Sequence, residues 1–109
     1  MEKEILETIK HIRFRPKMYF WFDGTFRSYT IYFQGFFCSM HINCKINMER
    51  EISKWYQKRV KFKAPNMVWF AQFEHINKDL SEQEKIDSLF DTLEEFFTDF
   101  NLEKALSKN

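Results

Sequence analysis

Glycine, proline and cysteine are scarce in this chain, with two of each in 109 residues. So few glycines and prolines disfavour a loop-rich β architecture, which needs turn residues between its strands. No apolar run approaches the ~20 residues that span a bilayer, and no basic start followed by an apolar stretch marks a signal peptide. We therefore expect one helical domain over residues 1–109 in a reducing cytoplasm.

Aromatic residues and charges are plentiful instead. The chain has 14 Phe, 4 Tyr and 3 Trp, enough for an aromatic core. Residues 1–63 hold 13 Lys/Arg and 6 Asp/Glu, a net charge of +7, whereas residues 64–109 hold 4 and 10, a net charge of −6. This asymmetry indicates a basic nucleic-acid surface, an acidic protein-binding surface, or two halves that neutralise each other.

Helical periodicity covers most of the chain. A first helix is expected from about Glu2 to Arg13. Thr25 is a suitable N-cap for a long central helix over about 25–44. That helix carries apolar residues on two faces, which predicts packing between neighbours on both sides. The second of these stripes consists of Ile31, Gly35, Cys38 and Ile42, and the missing side chain of Gly35 predicts a close approach by another helix.

Three further helices follow. Asn47 can cap a helix whose Met48, Ile52, Trp55 and Tyr56 point inward. The segment 67–76 is ambiguous between helix and strand; we favour helix, because a lone strand would have no partner and Asn66 is a good cap. A capping box at Ser81–Glu84 opens an amphipathic C-terminal helix over about 82–100. The sequence thus predicts an all-α, compact single-domain bundle of about five helices.

One face of the last helix is entirely acidic. Carboxylates at i and i+4 destabilise a helix by about 0.2–0.5 kcal/mol per pair, so a sequence selected for stability alone would intersperse lysines. We expect this face to bind a basic partner through charge complementarity. The alternative is a solvated face, or one that the basic residues of the third helix neutralise. The candidate partner-binding residues are Glu84, Asp87, Asp91, Glu94, Glu95 and Asp99.

A second candidate surface is the basic segment 54–63, where lysines and arginines alternate with Trp55, Tyr56 and Phe62. Such interleaving is typical of single-strand nucleic-acid binding. However, the helical wheel turns Trp55 and Tyr56 toward the core with Met48 and Ile52. Nucleic-acid binding is therefore the alternative function and not the leading one.

The residue types that support catalysis or metal binding do not come together in the sequence. Successive members of the set Cys38, His41 and Cys44 turn by about 300° around a helix, so Cys38 and Cys44 do not share a face, and no fourth ligand is near. His11 and His75 have no nucleophile visibly paired to them. With two glycines no phosphate-binding loop is possible. The sequence predicts neither an enzyme nor a bound metal or cofactor.

A short motif at the end of the first helix combines a helix stop with two cations. Pro16 disfavours the helical conformation at Arg15, which leaves Arg13 and Arg15 near the carbonyl end, where the dipole favours cations. Met18 and Tyr19 can then fold back onto the apolar face of the helix. We assign this motif a structural role.

The order of motifs resembles a group of small bacterial toxin-immunity proteins, the contact-dependent growth inhibition type among them. The shared elements span about residues 5–100: Arg15-Pro16-Lys17-Met18-Tyr19, Phe33-Gln34-Gly35-Phe36, Trp55-Tyr56, Trp69 and Leu93-Glu94-Glu95-Phe96-Phe97. The octapeptide from Ile12 to Tyr19 alone is also similar to a segment of type II topoisomerase ATPase subunits. However, the magnesium-binding Asn and the glycine-rich lid of those subunits have no counterpart here.

The resemblance implies an immunity protein that binds a cognate toxin domain stoichiometrically and blocks its active site or substrate entry. The expected partner is a basic toxin, with a nuclease as one candidate, and not a membrane. An acidic inhibitor could imitate the phosphates that such a toxin seeks.

Overall fold

The structure is a computed structural model, which describes residues 2–15, 24–61 and 67–100. These ranges contain five helices and no strand, which confirms the all-α bundle. The helices are α1 (Glu2–Phe14), α2 (Phe26–Cys44), α3 (Met48–Val60), α4 (Trp69–Ile76) and α5 (Glu82–Asp99). The predicted bounds agree to within one or two residues. The ambiguous segment is helical, as favoured, and no helix in the described ranges combines the length and apolar character needed to cross a bilayer.

α1 packs along α5 through one apolar stripe. Ile5, Ile9 and Ile12 are all buried at the spacing that places them on one face. Arg13 lies in the last turn and Arg15 directly follows the helix. The rest of the predicted motif, Pro16, Met18 and Tyr19, lies outside the described residues.

α2 begins and ends where the sequence predicts. The side chain of Thr25 accepts a hydrogen bond from the backbone N–H of Ser28, and Lys45 ends the helix in a left-handed conformation with its N–H bonded to the carbonyl of His41 at 3.1 Å. The inner face packs against α3, α4 and α5. Its buried residues are Phe26, Tyr29, Thr30, Phe33, Phe37 and Met40.

The predicted second face of α2 is not buried, so the prediction of packing on both sides is wrong. Ile31 and Ile42 are 59% and 65% exposed, and Gly35 and Cys38 are exposed as well. A Cβ added to Gly35 would meet nothing within 4 Å, so no helix approaches it closely. The physical reason is that the helices in contact with α2 gather on its inner side, while α1 packs on α5 instead.

α3 and α4 pack against each other. Asn47 caps α3 as predicted, accepting from the N–H of Arg50 at 3.1 Å. The cap of α4 differs from the prediction, because its N-cap residue is Val68, which has no side-chain acceptor, and Asn66 lies outside the described residues. A carboxylate from the neighbouring helix supplies the acceptor instead: Glu49 receives the backbone N–H of Trp69.

α5 is the helix that the sequence defines best. Ser81 and Glu84 form the predicted capping box, with both reciprocal hydrogen bonds present. Its apolar face joins a network of aromatic contacts with α2, in which the rings of Phe33 and Phe90 lie 5.8 Å apart, edge to face. The buried residues of α5 are Ile86, Leu89, Phe90, Leu93, Phe96 and Phe97.

Candidate functional site

The acidic row of α5 is the surface that the sequence selects first, and the protein's own arginines already contact half of it. Its six members are Glu84, Asp87, Asp91, Glu94, Glu95 and Asp99. Arg13 and Arg59 reach three of them from α1 and α3. The chain therefore satisfies part of the charge that we expected a partner to cover.

Arg13 is the centre of the larger ionic contact. Its Nη1 lies 2.5 Å from Glu94 Oε2 and 2.9 Å from Asp91 Oδ1, and its Nη2 donates to the carbonyl of Asp87 at 3.3 Å. The guanidinium also lies over the ring of Phe90, 5.6 Å from its centre. Burial by itself would lower the pKa of Arg13, but hydrogen bonds to Glu94 and Asp91 outweigh it and raise the pKa. Arg13 thus bonds α5 from its position near the carbonyl end of α1.

Arg59 makes a more exposed contact with the same row. Its Nε and Nη2 donate to the two carboxylate oxygens of Glu95 at 3.0 and 2.6 Å, and this pairing raises the pKa of Arg59. Both side chains remain nearly half exposed, at 46% and 44%. Exposed pairs contribute little stability, but the contact confirms that the third helix neutralises part of the acidic face.

The other half of the row serves the helix itself or points to solvent. Glu84 accepts the N–H of Ser81, and this bond lowers the pKa of its carboxyl. Asp87 accepts from the side-chain amide of Gln83 at 3.2 Å. Asp99 is exposed in the last turn of α5. Three carboxylates without an arginine partner in the described residues remain as a reduced acidic surface.

The described part of the basic segment, residues 54–61, offers little free aromatic surface for the nucleic-acid alternative. Tyr56 is buried, and Trp55 packs edge to face on Phe96 at 5.3 Å, which agrees with the predicted inward orientation. Arg59 lies over the ring of Trp55, 5.8 Å from its centre. The remaining aromatic, Phe62, lies outside the described residues. Tyr56 is therefore unavailable for base stacking, and Trp55 is only partly exposed.

A groove between α2 and α4 is the surface that the sequence analysis missed. It consists of two adjoining cavities of about 290 and 470 Å³. Both share the side chains of Gln34, Val68 and Phe70. The smaller cavity is mainly apolar and is further lined by Phe37, Cys38, His41, Asn47 and Glu49. The larger is further lined by Thr30, Ala71, Glu74, His75 and Lys78.

The groove adjoins the exposed stripe of α2, so the two form one continuous surface. Cys38 belongs to both, and Gln34 and His41 precede Gly35 and Ile42 directly in the helix. Val68, 58% exposed, adds an apolar side chain on the α4 side. We call this surface the α2–α4 face. The second apolar stripe of α2 is the sequence signal for this surface, but the sequence analysis assigns that stripe to the core.

Glu49 is the unusual charge of the α2–α4 face. Its carboxylate is half-buried in the wall of the smaller cavity, where it accepts the N–H of Trp69. Burial raises the pKa of this carboxyl, and the hydrogen bond from Trp69 opposes that shift only in part. In the described ranges no lysine, arginine or histidine pairs with it in a salt bridge.

Metal ligation finds no support in the described ranges, where no group of three or more His, Cys, Asp or Glu side chains is arranged to hold an ion. Cys38 and His41 line the smaller cavity, whereas Cys44 packs against the core, and both cysteines are free thiols.

Comparison of the chain with models of protein families, with curated proteins and with solved structures gave no match. The resemblance to toxin-immunity proteins therefore stays a prediction from the sequence motifs, and the functional argument depends on the geometry of the α2–α4 face and of the acidic row.

Proposed function

We propose that this protein is an immunity-type inhibitor, which binds one copy of a cognate bacterial toxin domain and blocks its active site or substrate entry. The observation that carries the proposal is the exposed apolar stripe of α2 beside a groove whose smaller cavity is mainly apolar. Large apolar side chains that line up on an exposed surface are typical of protein-binding sites. The toxin as partner comes from the motif order, Arg15-Pro16 through Phe96-Phe97.

The α2–α4 face replaces the acidic row as the preferred contact surface. Covering Ile31 and Ile42 would remove apolar area from water at roughly 25 cal/mol per Å² without breaking any contact of the free protein. Covering Asp91, Glu94 or Glu95 would instead compete with ion pairs that already exist. The acidic row then has the lesser role of attracting a basic toxin from a distance, which affects the association rate more than the affinity.

The two surfaces make opposite predictions for a pair of double variants. Ile31→Lys/Ile42→Lys alters only the outer face of α2, and Asp87→Lys/Asp99→Lys alters only carboxylates without an arginine partner in the described residues. All four side chains are exposed, so both variants should fold. We expect the first to weaken the toxin complex at least about tenfold, equivalent to 1.4 kcal/mol, and the second to change mainly the association rate and its salt dependence.

The experiment is coexpression with the product of the gene immediately upstream, followed by size-exclusion chromatography with light scattering and by interferometry. A one-to-one complex that protects cells from growth arrest is the expected result. If the wild-type protein forms no complex and gives no protection, the proposal is wrong. Steeply salt-dependent binding to generic DNA or RNA would favour the alternative, a nucleic-acid-binding regulator or antitoxin that uses the exposed Lys54, Lys58 and Lys61.

A further inference from the structure

The smaller cavity of the α2–α4 face combines a half-buried negative charge with a mainly apolar lining. Glu49 uses one carboxylate oxygen to cap α4 through Trp69, which leaves the other oxygen to accept further hydrogen bonds. A partly desolvated carboxylate without a counter-ion is costly, and the described residues supply none. The cavity therefore attracts a cation in preference to an anion or a neutral group.

The mainly apolar lining of this cavity fits a cation that has an aliphatic stem. The rings of Phe37 and Phe70 lie 5.7 Å apart with an interplanar angle of 30°, and Val68 adds an aliphatic side. The side-chain amides of Gln34 and Asn47 add hydrogen-bonding groups. A volume of about 290 Å³ is at the lower limit of the ~300–1,000 Å³ typical of small-molecule sites, so a single side chain is the occupant of matching size.

We propose that this cavity receives an arginine side chain of the protein partner, with the guanidinium paired to Glu49 and the methylene stem against Val68 and the small exposed parts of Phe37 and Phe70. Arginine fits better than lysine, because the guanidinium is more weakly hydrated than an ammonium group and offers several N–H donors to a carboxylate. The inference deepens the proposed function, since it assumes that the partner is a protein, and it identifies the cavity as the place where a basic partner is anchored.

A titration with a small probe tests the cavity without any toxin. N-acetyl-arginine amide is added to the ¹³C-methyl- and ¹⁵N-labelled protein, with N-acetyl-citrulline amide as the neutral isostere. We expect saturable shifts of the Val68 methyls and the Gln34 side-chain amide with arginine amide, and at least fivefold weaker binding of the citrulline probe. Equal binding of the two probes, shifts confined to the acidic row, or no saturable shift would each overturn the inference.

Two matched variants separate charge from structure. Glu49→Gln keeps an acceptor oxygen for the N–H of Trp69 but loses the charge, and Glu51→Gln removes the same charge from the same helix outside the cavity. We expect Glu49→Gln to weaken arginine-amide binding at least fivefold and Glu51→Gln to leave it within twofold. Circular dichroism and thermal unfolding confirm that both variants are folded.

The same two variants, tested against the toxin, distinguish a failure of this inference from a failure of the proposed function. A toxin complex that Glu49→Gln weakens at least tenfold and Glu51→Gln does not supports both. A complex indifferent to Glu49→Gln overturns the arginine site and leaves the immunity function standing. If no toxin complex forms, the proposed function fails, and the arginine-amide titration alone decides whether the cavity binds arginine.

Discussion

The two longest helices, α2 and α5, have similar inner faces and very different outer faces. Inside, both contribute aromatic side chains to one core, as the Phe33–Phe90 contact shows. Outside, α5 has the acidic row, in which three of the six carboxylates pair with arginines from α1 and α3. The outer face of α2 has Ile31 and Ile42 in solvent, beside a groove.

This difference separates a surface that the fold explains from one that it does not. Ion pairs across helices account for much of the acidic row, because each arginine neutralises charge that would otherwise repel along α5. No intramolecular contact in the described ranges accounts for two exposed isoleucines on one helix face. An exposed feature that gives the free protein no benefit is the better candidate for binding a partner.

The largest effect should come from the inner faces, where the two helices are alike. Phe33→Ala removes a fully buried ring and should cost about 3–5 kcal/mol of the free energy of unfolding. Ile31→Ala, two residues earlier on the outer face, should stay within about 0.5 kcal/mol of the wild type. Urea denaturation measures both. A comparable loss for Ile31→Ala would mean that the outer face is covered in solution.

The outer face of α5 gives the next largest effect. Arg13→Met keeps an apolar stem over Phe90 but removes the ion pairs to Asp91 and Glu94. It should lower the free energy of unfolding by about 1–2 kcal/mol, because charged hydrogen bonds contribute more stability in partly buried sites than in exposed ones. Arg59→Met should cost less, about 0.2–1 kcal/mol. Denaturant unfolding at low and high salt measures both losses, and equal costs would contradict the difference in burial between the two pairs.

The outer face of α2 should tolerate, and even favour, a new methyl group. Gly35 has a helical backbone, and an added Cβ meets nothing within 4 Å. Gly35→Ala should therefore raise the free energy of unfolding by about 0.5–1 kcal/mol through helix propensity. Thermal or chemical unfolding is the measurement. A destabilised variant would mean that another helix does approach Gly35 closely, as the sequence analysis predicted.

The smallest effect is the pH dependence of stability that Glu49, in the wall of the smaller cavity, should cause. Burial raises the pKa of Glu49, so above the reference pKa of 4.5 the folded chain binds more protons than the unfolded chain. The contribution of this group to stability therefore falls as the pH rises from 4.5 through the raised pKa of the folded state. Glu49→Gln removes that dependence. The free energy of unfolding of the variant, taken relative to that of the wild type, should therefore be slightly higher at pH 7 than at pH 4. Urea unfolding at the two pH values tests the sign, and lower relative stability of the variant at pH 7 would contradict it.

Local signals in the sequence were sufficient for the helices. Thr25, Asn47 and the Ser81–Glu84 box cap the helices as expected, because a capping side chain bonds a backbone N–H only two or three residues away. The cap of α4 could not be predicted in this way, since Glu49 reaches Trp69 from 20 residues earlier in the chain.

The sequence by itself determined the five helices, the caps of α2, α3 and α5, and the inner faces, because helix periodicity and local capping depend on neighbours within one or two turns. Only the tertiary structure decided which outer residues are covered: it paired Arg13 and Arg59 with α5, exposed the second stripe of α2, and formed the groove around Glu49. Those outcomes depend on how the helices are arranged in space, which the periodicity of a single helix does not encode.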